Sequence, residues 1–366
     1  MKLGMIGDAH LGCADFTEKR RADFALAFAN AVETCLGAGV EGLCLLGDVF
    51  DSALMRRNVE AFAATMKEVG SVFDRLRKEK VPVLAIAGNH EFGRGREAGE
   101  LGILESLGFL RVLRGEEHVI DGLGIVGLPY HSEDELPALP GRVRALVQGS
   151  KARRRILLLH NFIRGSASIP SHLGDVDQSV AEGFDRVFVG HHHDAEELGA
   201  FVMPGATEVQ NLSEADQRKA VVIFDSESAK VVFQKLPKTR DVIVLSNDIS
   251  DFANRDELLA VMSKALAKRD LSNAFVCVRL FGTATPRCSV TKADIVTFLR
   301  ERNVFDRFVE VRTMRPTREA SQAVKGATVE GLLQREFGTQ SRKAQKYIDG
   351  CTDDGFPSAL VDEILR

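Results

Sequence analysis

No two cysteines in this chain stand in a CxxC arrangement. The six, Cys13, Cys35, Cys44, Cys277, Cys288 and Cys351, are scattered, and Cys44 lies inside the apolar run GLCLLGD (42–48). The pattern argues against a cysteine-built zinc site and reads as buried free thiols in a reducing compartment. Long apolar stretches are missing too: none approaches the roughly 20 residues needed to span a bilayer. MKLGMIGDAH meets an aspartate at position 8, before a secretory apolar region could form. The expectation is a soluble, cytoplasmic protein with no membrane partner. There is no excess of positive charge, the formal net charge being −4. Any nucleic-acid partner would have to be held by local basic patches. Internal repeats and low-complexity tracts are also absent.

What is present is length and a core. The 366 residues are enough for two or three domains, and 45% of them are hydrophobic. From residue 1 to about 235, short apolar runs alternate with helical patterns. KLGMIG (2–7), GLCLLG (42–47), VPVLAIAG (81–88), ILLLHN (156–161) and RVFVGH (186–191) read as strands bounded by glycine or polar residues. Phe24, Phe28, Val32 and Leu36 recur every four, before Gly37 and Gly39, and predict a first helix. Val59, Phe62, Met66, Val69 and Phe73 predict a second, and 219–236 reads as a hairpin. Strand–helix–strand alternation of this kind makes an α/β layered fold. After LPKTRD (236–241) come a strand, a helix, the strand AFVCVRLFG (274–282), a helix and the strand FVEVRTM (308–314), a second domain of α+β type. Beyond it the chain is polar, with short amphipathic helices predicted near 328–337, 340–349 and 357–365.

The strand ends carry the chemistry. GDAHLG brings Asp8 and His10, GDVFD brings Asp48 and Asp51, and GNHE brings Asn89 and His90. The fourth strand ends in His160 and the fifth in GHHH, His191 to His193. Ligands bind at the carboxyl edge of such sheets. Each segment alone could be an ordinary turn or a core histidine. Yet the chain has nine histidines, and five of them, His192 apart, fall at these ends. Asp, His and Asn together suit borderline-hard cations such as Mn²⁺. The set is large enough for two ions, and a pair about 3.5–4 Å apart clamps a phosphoryl group and activates water.

This pattern resembles the calcineurin-like metallophosphoesterase superfamily. Within it, the chain resembles the SbcD-like nucleases of double-strand-break repair, the meiotic-recombination-eleven type. GDAHLG, GDVFD, GNHE, LLLHNF and GHHH match in order and spacing, and the stretch MPGATEVQNLSEADQRKAVVIFD (203–225) resembles the family's segment after its last metal histidine. The resemblance implies a metallophosphoesterase β-sandwich flanked by helices over 1–235, a smaller capping domain over 236–316 and a helical ATPase-binding tail over 317–366. It implies one metal held by Asp8, His10, Asp48 and His193, and a second held by Asp48, Asn89, His160 and His191, with Asp48 bridging. His90 would be the general acid, Asp51 would orient it, and Glu91 would support the site from behind. The expected cofactors are two Mn²⁺ ions, with Mg²⁺ the alternative.

Alternation along an extended segment turns His191 and His193 to the metals and His192 away. His192 is expected to be exposed, with contact to DNA or to a neighbouring loop the alternatives. Arg56, Arg57, Arg94, Arg96 and Arg164 lie close in sequence to the site and are candidate DNA-phosphate contacts. The resemblance further implies a homodimer, for which Phe62, Met66, Leu101 and Leu104 are candidates. It also implies an ABC-type ATPase of the structural-maintenance-of-chromosomes kind, bound by the tail, and a place at the nucleoid. The expected function is a DNA exonuclease and endonuclease working by two metals. A metallophosphatase or cyclic-nucleotide phosphodiesterase, or a catalytically silent scaffold for the ATPase, are the alternatives.

Overall fold

Strand runs that are apolar at every position need cover on both faces. In the computed structural model, which describes residues 1–13, 18–51, 58–91, 99–167, 169, 175–285 and 288–314, they have it. The first sheet draws on β1 (Lys2–Ile6), β2 (Gly42–Leu45), β3 (Val83–Ala85) and β4 (Arg111–Val112). The second draws on β5 (Glu117–Ile120), β6 (Leu123–Leu128), β7 (Arg154–His160), β8 (Arg186–Gly190), β9 (Glu196–Leu198) and β10 (Phe201–Met203). The chain then returns to the first sheet as the hairpin β11 (Ala220–Asp225) and β12 (Lys230–Lys235). The orders are β12-β11-β1-β2-β3-β4 and β5-β6-β7-β8-β10-β9. β1, β2 and β3 run parallel, and so do β6, β7 and β8. Parallel neighbours need crossovers. α1 (Arg21–Gly37) joins β1 to β2, α2 (Val59–Lys78) joins β2 to β3, and α4 (Leu139–Gly149) joins β6 to β7, while α3 (Gly99–Ser106) joins β3 to β4.

Period-two alternation divides each strand between two cores. Leu3, Met5, Cys44, Leu84, Ile156, Leu158 and Phe188 fill the space between the sheets. Their neighbours Leu43, Leu45, Val83 and Ala85 pack with Phe28, Val32, Val69 and Phe73 of α1 and α2. On the other side Leu157, Leu159, Val187 and Val189 pack with Leu139 and Val143 of α4. The layers run helix, sheet, sheet, helix, which is the metallophosphoesterase sandwich that the sequence implies. Removing one such side chain, as in Leu158→Ala, costs about 2–5 kcal/mol, because the cavity cannot fully collapse. The described cysteines are buried and form no disulfide with one another, and burial pushes the Cys35 and Cys44 thiols up to about 12.

The helices start and stop for local reasons. The Asn58 side chain accepts the Ala61 N–H at 3.0 Å and caps α2. Arg75, Arg77 and Lys78 in its last turn meet the negative end of the dipole. On α3, Leu101 and Leu104 are 0% and 1% exposed and belong to the core under the helices. This corrects the expectation that they contact a partner: their stripe faces this chain's own sheet.

Three further strands, β13 (Asp241–Asp248), β14 (Ala274–Thr283) and β15 (Asp306–Met314), form a sheet in that order, with α5 (Arg255–Leu266) and α6 (Lys292–Arg300) in the connections. By proximity of Cα atoms the chain divides into two units. The first holds Met1–Ser246, Val261–Arg279 and Lys292–Glu310. The second holds Asn247–Ala260, Leu280–Thr291 and the described residues from Val311. The tail helices expected over 317–366 lie outside the described residues.

Candidate metal centre

The parallel strands of both sheets end at one edge, inside the first unit. Asp8 and His10 follow β1, Asp48 follows β2, Asn89 and His90 follow β3, His160 ends β7, and His191 and His193 follow β8. Their ligand-type atoms form three groups, each within 4.8 Å: Asp8, His10 and His193; His10, Asp48 and His90; Asp48, His160 and His191. The Nε2 atoms of His10 and His193 are 3.3 Å apart. His160 Nε2 lies 3.3 Å from Asp48 Oδ2 and 3.2 Å from Asn89 Oδ1. Asp48 thus stands between two clusters, as a bridging carboxylate must. The cavity beside them, about 340 Å³, is lined by His10, Asp48, His90, His191 and His193 among others.

The backbone is bent to aim these groups. Asp8 (φ 23°), His10 (φ 44°), Asp48 (φ 46°) and His191 (φ 73°) all adopt positive φ. Such backbone costs of order 1–3 kcal/mol each and persists where the surroundings over-determine it. Here they do. Asp8 Oδ1 accepts the His191 N–H at 2.9 Å, and Asp48 Oδ1 accepts the His90 N–H at 2.8 Å. Buried Glu91 accepts the N–H groups of Asp48, Phe50 and Gly88 at 2.9, 2.8 and 2.7 Å. It therefore ties the loops after β2 and β3 together. Gly88 supplies space: a Cβ there would stand 2.2 Å from Asp48 Oδ1.

Several atoms ask for a cation. Asp8 Oδ2 is buried without a hydrogen-bond partner, a costly state for a polar atom inside a protein, and the Nε2 atoms of His10 and His193 face each other. His160 Nδ1 donates to the Leu46 carbonyl at 2.7 Å, which turns its Nε2 toward the two oxygens. Three lone-pair carriers facing one another repel unless a positive charge lies among them. In the chain alone a proton plays that part. Burial by itself would lower the His160 pKa, but the charge of Asp48 and its hydrogen bond raise it to about 9. Burial raises Asp8 to about 6 despite the attraction of His160 and His193, and lowers His10 to about 3. The donor set, two carboxylates, an amide oxygen and four imidazoles, fits a pair of divalent ions.

His90 differs from the others. It is partly exposed, and its Nδ1 lies 3.6 Å from Asp51 Oδ1. The Asp51 carboxylate, followed by the charge of Asp48, raises its pKa to about 9 against the effect of burial.

His192 overturns an expectation. It points away from the ligand cluster, but it is 1% exposed. Its Nε2 accepts the Ile163 N–H at 3.0 Å, and its Nδ1 is 3.4 Å from the Ser166 hydroxyl. The face opposite the ligands is covered by the loop after β7, so turning away here means entering the protein. Burial holds its pKa down at about 4.

Of the candidate DNA contacts, Arg56, Arg57, Arg94 and Arg96 lie outside the described residues. Arg164 is exposed, pairs with Asp177 at 3.5 Å and lines a separate cavity with Glu133 and Asp175. Sequence reasoning missed Phe162, whose ring lies 4.0 Å from that of His191, and Tyr130, at 5.9 Å. It also missed Glu214, which takes the His193 Nδ1–H at 2.8 Å.

A model of the calcineurin-like phosphoesterase family matches residues 1–195, a span that holds every ligand candidate from Asp8 to His193. The chain is 28% identical over 303 residues to a protein of Haloferax volcanii named DNA double-strand break repair protein Mre11, covering 81% of this chain and 64% of that one. It is 25% identical over 295 residues to a protein of the same name from Archaeoglobus fulgidus, covering 72% and 64%. The chain thus spans 64% of the length of these two relatives. Among solved structures, a dimetal phosphatase from Danio rerio is 16% identical, with a TM-score of 0.43, covering 65% of this chain and 96% of that one.

Proposed function

The chain belongs to the calcineurin-like phosphoesterase family, and from that premise we propose that it is a Mn²⁺-dependent DNA nuclease of double-strand-break repair. The observation that carries the reading is the pair of ligand clusters meeting at Asp48, with Asp8 Oδ2 buried and unpartnered beside it. Asp8, His10, Asp48 and His193 would hold one ion, and Asp48, Asn89, His160 and His191 would hold the other. When bound, the ions supply Lewis acidity to the phosphoryl oxygens and lower the pKa of the attacking water.

The remaining chemistry falls to this chain's own groups. His90 reaches the cavity, is not among the residues assigned to either ion and has Asp51 beside its Nδ1, which makes it the general acid for the leaving oxygen, a role worth about 10²–10⁴-fold. Asp51 holds its Nδ1 side and leaves Nε2 for the substrate. Buried Glu91 keeps Asp48 in register. Phe162 packs on His191 and limits how that ligand can rotate.

The reading extends to the whole plan: a nuclease core over 1–235, a cap over 236–316 and a tail over 317–366 that binds an ABC-type ATPase. It also includes a homodimer with Phe62 and Met66 of α2 at its surface, and DNA phosphates held by the five arginines named above. The names of the archaeal relatives support the DNA substrate. The test is one assay of purified protein with Mn²⁺, against linear duplex DNA and against a small chromogenic phosphodiester. Cleavage of both, abolished by chelation, is expected. Turnover of the small ester with no cleavage of DNA would mean a phosphodiesterase of another class, and no turnover of either would mean a scaffold.

A further inference from the structure

We infer that Glu214, held by Lys219, is the positioning residue for His193 and sets the affinity of the ion shared by Asp8, His10 and His193. The inference rests on the two-metal reading.

The three ligand-type residues of that group are unequally fixed. Asp8 Oδ2 and His10 Nδ1 have no hydrogen-bond partner. His193 alone of the three has its ring nitrogen anchored by a side chain, Glu214 Oε1 at 2.8 Å. An Nδ1–H committed to a carboxylate leaves Nε2 as a lone pair, and that atom faces His10 Nε2 at 3.3 Å. Across the cavity, His160 has its tautomer fixed by the Leu46 carbonyl, which no side-chain substitution removes. The two ion sites are therefore oriented by different devices, one from the backbone and one from Glu214. Partners of this kind typically contribute 10–100-fold to metal affinity.

Lys219 completes the device. Its Nζ donates to Glu214 Oε2 at 2.6 Å, to Gln217 Oε1 at 2.9 Å and to the His193 carbonyl at 3.4 Å. It grips both the backbone of the ligand and the carboxylate that orients the ligand's ring. Lys219 directly precedes β11, so His193 is braced from the first sheet although it follows a strand of the second. The Glu214 side chain is 2% exposed and that of Lys219 10%, so little water competes for either.

A plainer role exists. Glu214 Oε2 also accepts the Gln210 N–H at 3.1 Å, and Oε1 accepts from Asn211 Nδ2 at 2.5 Å. It could serve only to staple its own loop. The two roles part in which ion they affect. Mn²⁺ titrations followed by electron paramagnetic resonance distinguish a spin-coupled pair from an isolated ion. They would be run on the full chain as wild type, Glu214→Gln and Lys219→Met, with a thermal melt of each. Glu214→Gln is expected to weaken one ion by about 10–100-fold and to leave the other unchanged. It should show an isolated-ion signal at concentrations where the wild type shows the pair. Lys219→Met should move the same ion in the same direction by a smaller factor. Uptake of both ions at wild-type affinity by Glu214→Gln overturns the inference, and so does equal weakening of both. If Glu214→Gln does not fold, Lys219→Met decides, and wild-type uptake by that variant overturns it. A wild-type chain that takes up no pair overturns the two-metal reading and this inference with it.

Discussion

Replacing Gly88 by alanine adds one carbon, and the structure says where it goes. The new Cβ would stand 2.2 Å from Asp48 Oδ1, 2.4 Å from Asp48 N and 2.7 Å from Asp48 Cγ, where ordinary contact begins at 3.4 Å. Asp48 or the loop after β3 must therefore retreat by about 1 Å. The retreat is not free, because Asp48 Oδ1 accepts the His90 N–H and Glu91 holds the backbone of residues 48, 50 and 88 together. Overpacking of this sort costs about 1–3 kcal/mol, which a sandwich with three packed cores should survive. Function should suffer more than folding. A misplacement near 1 Å at a reacting centre costs about 10²-fold in rate, and the displaced group is the carboxylate proposed to bridge the two ions. The expected result is a folded protein with a modestly lower melting temperature, loss of about two orders of magnitude in nuclease rate, and weaker uptake of both ions. Nuclease assays and calorimetric Mn²⁺ titration on the same preparation would show it. Wild-type rate and affinity in Gly88→Ala would refute the reasoning, since they would mean that Asp48 is not confined as described.

Three further outcomes are expected. His90→Ser should abolish cleavage and leave both ions bound, because it removes a proton donor and no ligand; calorimetry showing loss of both ions would mean the roles are misassigned. His192→Ala should orphan the buried Ile163 N–H at a cost of about 1–3 kcal/mol. The melt should fall by several degrees while activity per folded molecule is largely kept, whereas His193→Ala, at a position without positive φ, should lose most activity without a comparable fall; equal inactivation by the two would refute the distinction. Metal uptake should release protons, since His160 sits at about 9 and Asp8 at about 6 in the free chain and a ligand must be deprotonated. Below both values the ions compete with a proton on each of these two groups, and between them with the proton on His160. Apparent affinity should therefore rise with pH from below 6 toward 9, and titration in buffers of different ionisation enthalpy should give a positive proton release near neutrality; a flat profile would count against Asp8 and His160 as ligands.

The residues that the structure gathers at the candidate metal centre could be read from the sequence because each travels with its own strand end. Asp48 follows the apolar run GLCLLG, and His160 closes ILLLH, so the motif carries its structural address with it. Glu214 has no such address. It lies 21 residues after His193 in a stretch without periodicity, and it reaches the site only because β11 returns to the first sheet. His192 shows a different gap. Alternation tells which face a side chain takes but not what covers that face, and the cover comes from residues 161–167, distant in sequence. The same applies to Leu101 and Leu104: an apolar stripe on a helix looks alike whether it meets its own sheet or another molecule.

The positive φ values of Asp8, His10, Asp48 and His191 have a practical consequence for anyone making an inactive control. Aspartate, asparagine and histidine tolerate left-handed backbone far better than most residues do, so each ligand is also the residue its own kink can bear. A swap to alanine or valine would remove the metal ligand and oppose the kink at once, and a lost activity could then come from either. Amide replacements such as Asp8→Asn and Asp48→Asn keep the kink while withdrawing the charge. They are the variants in which silence reports on chemistry alone.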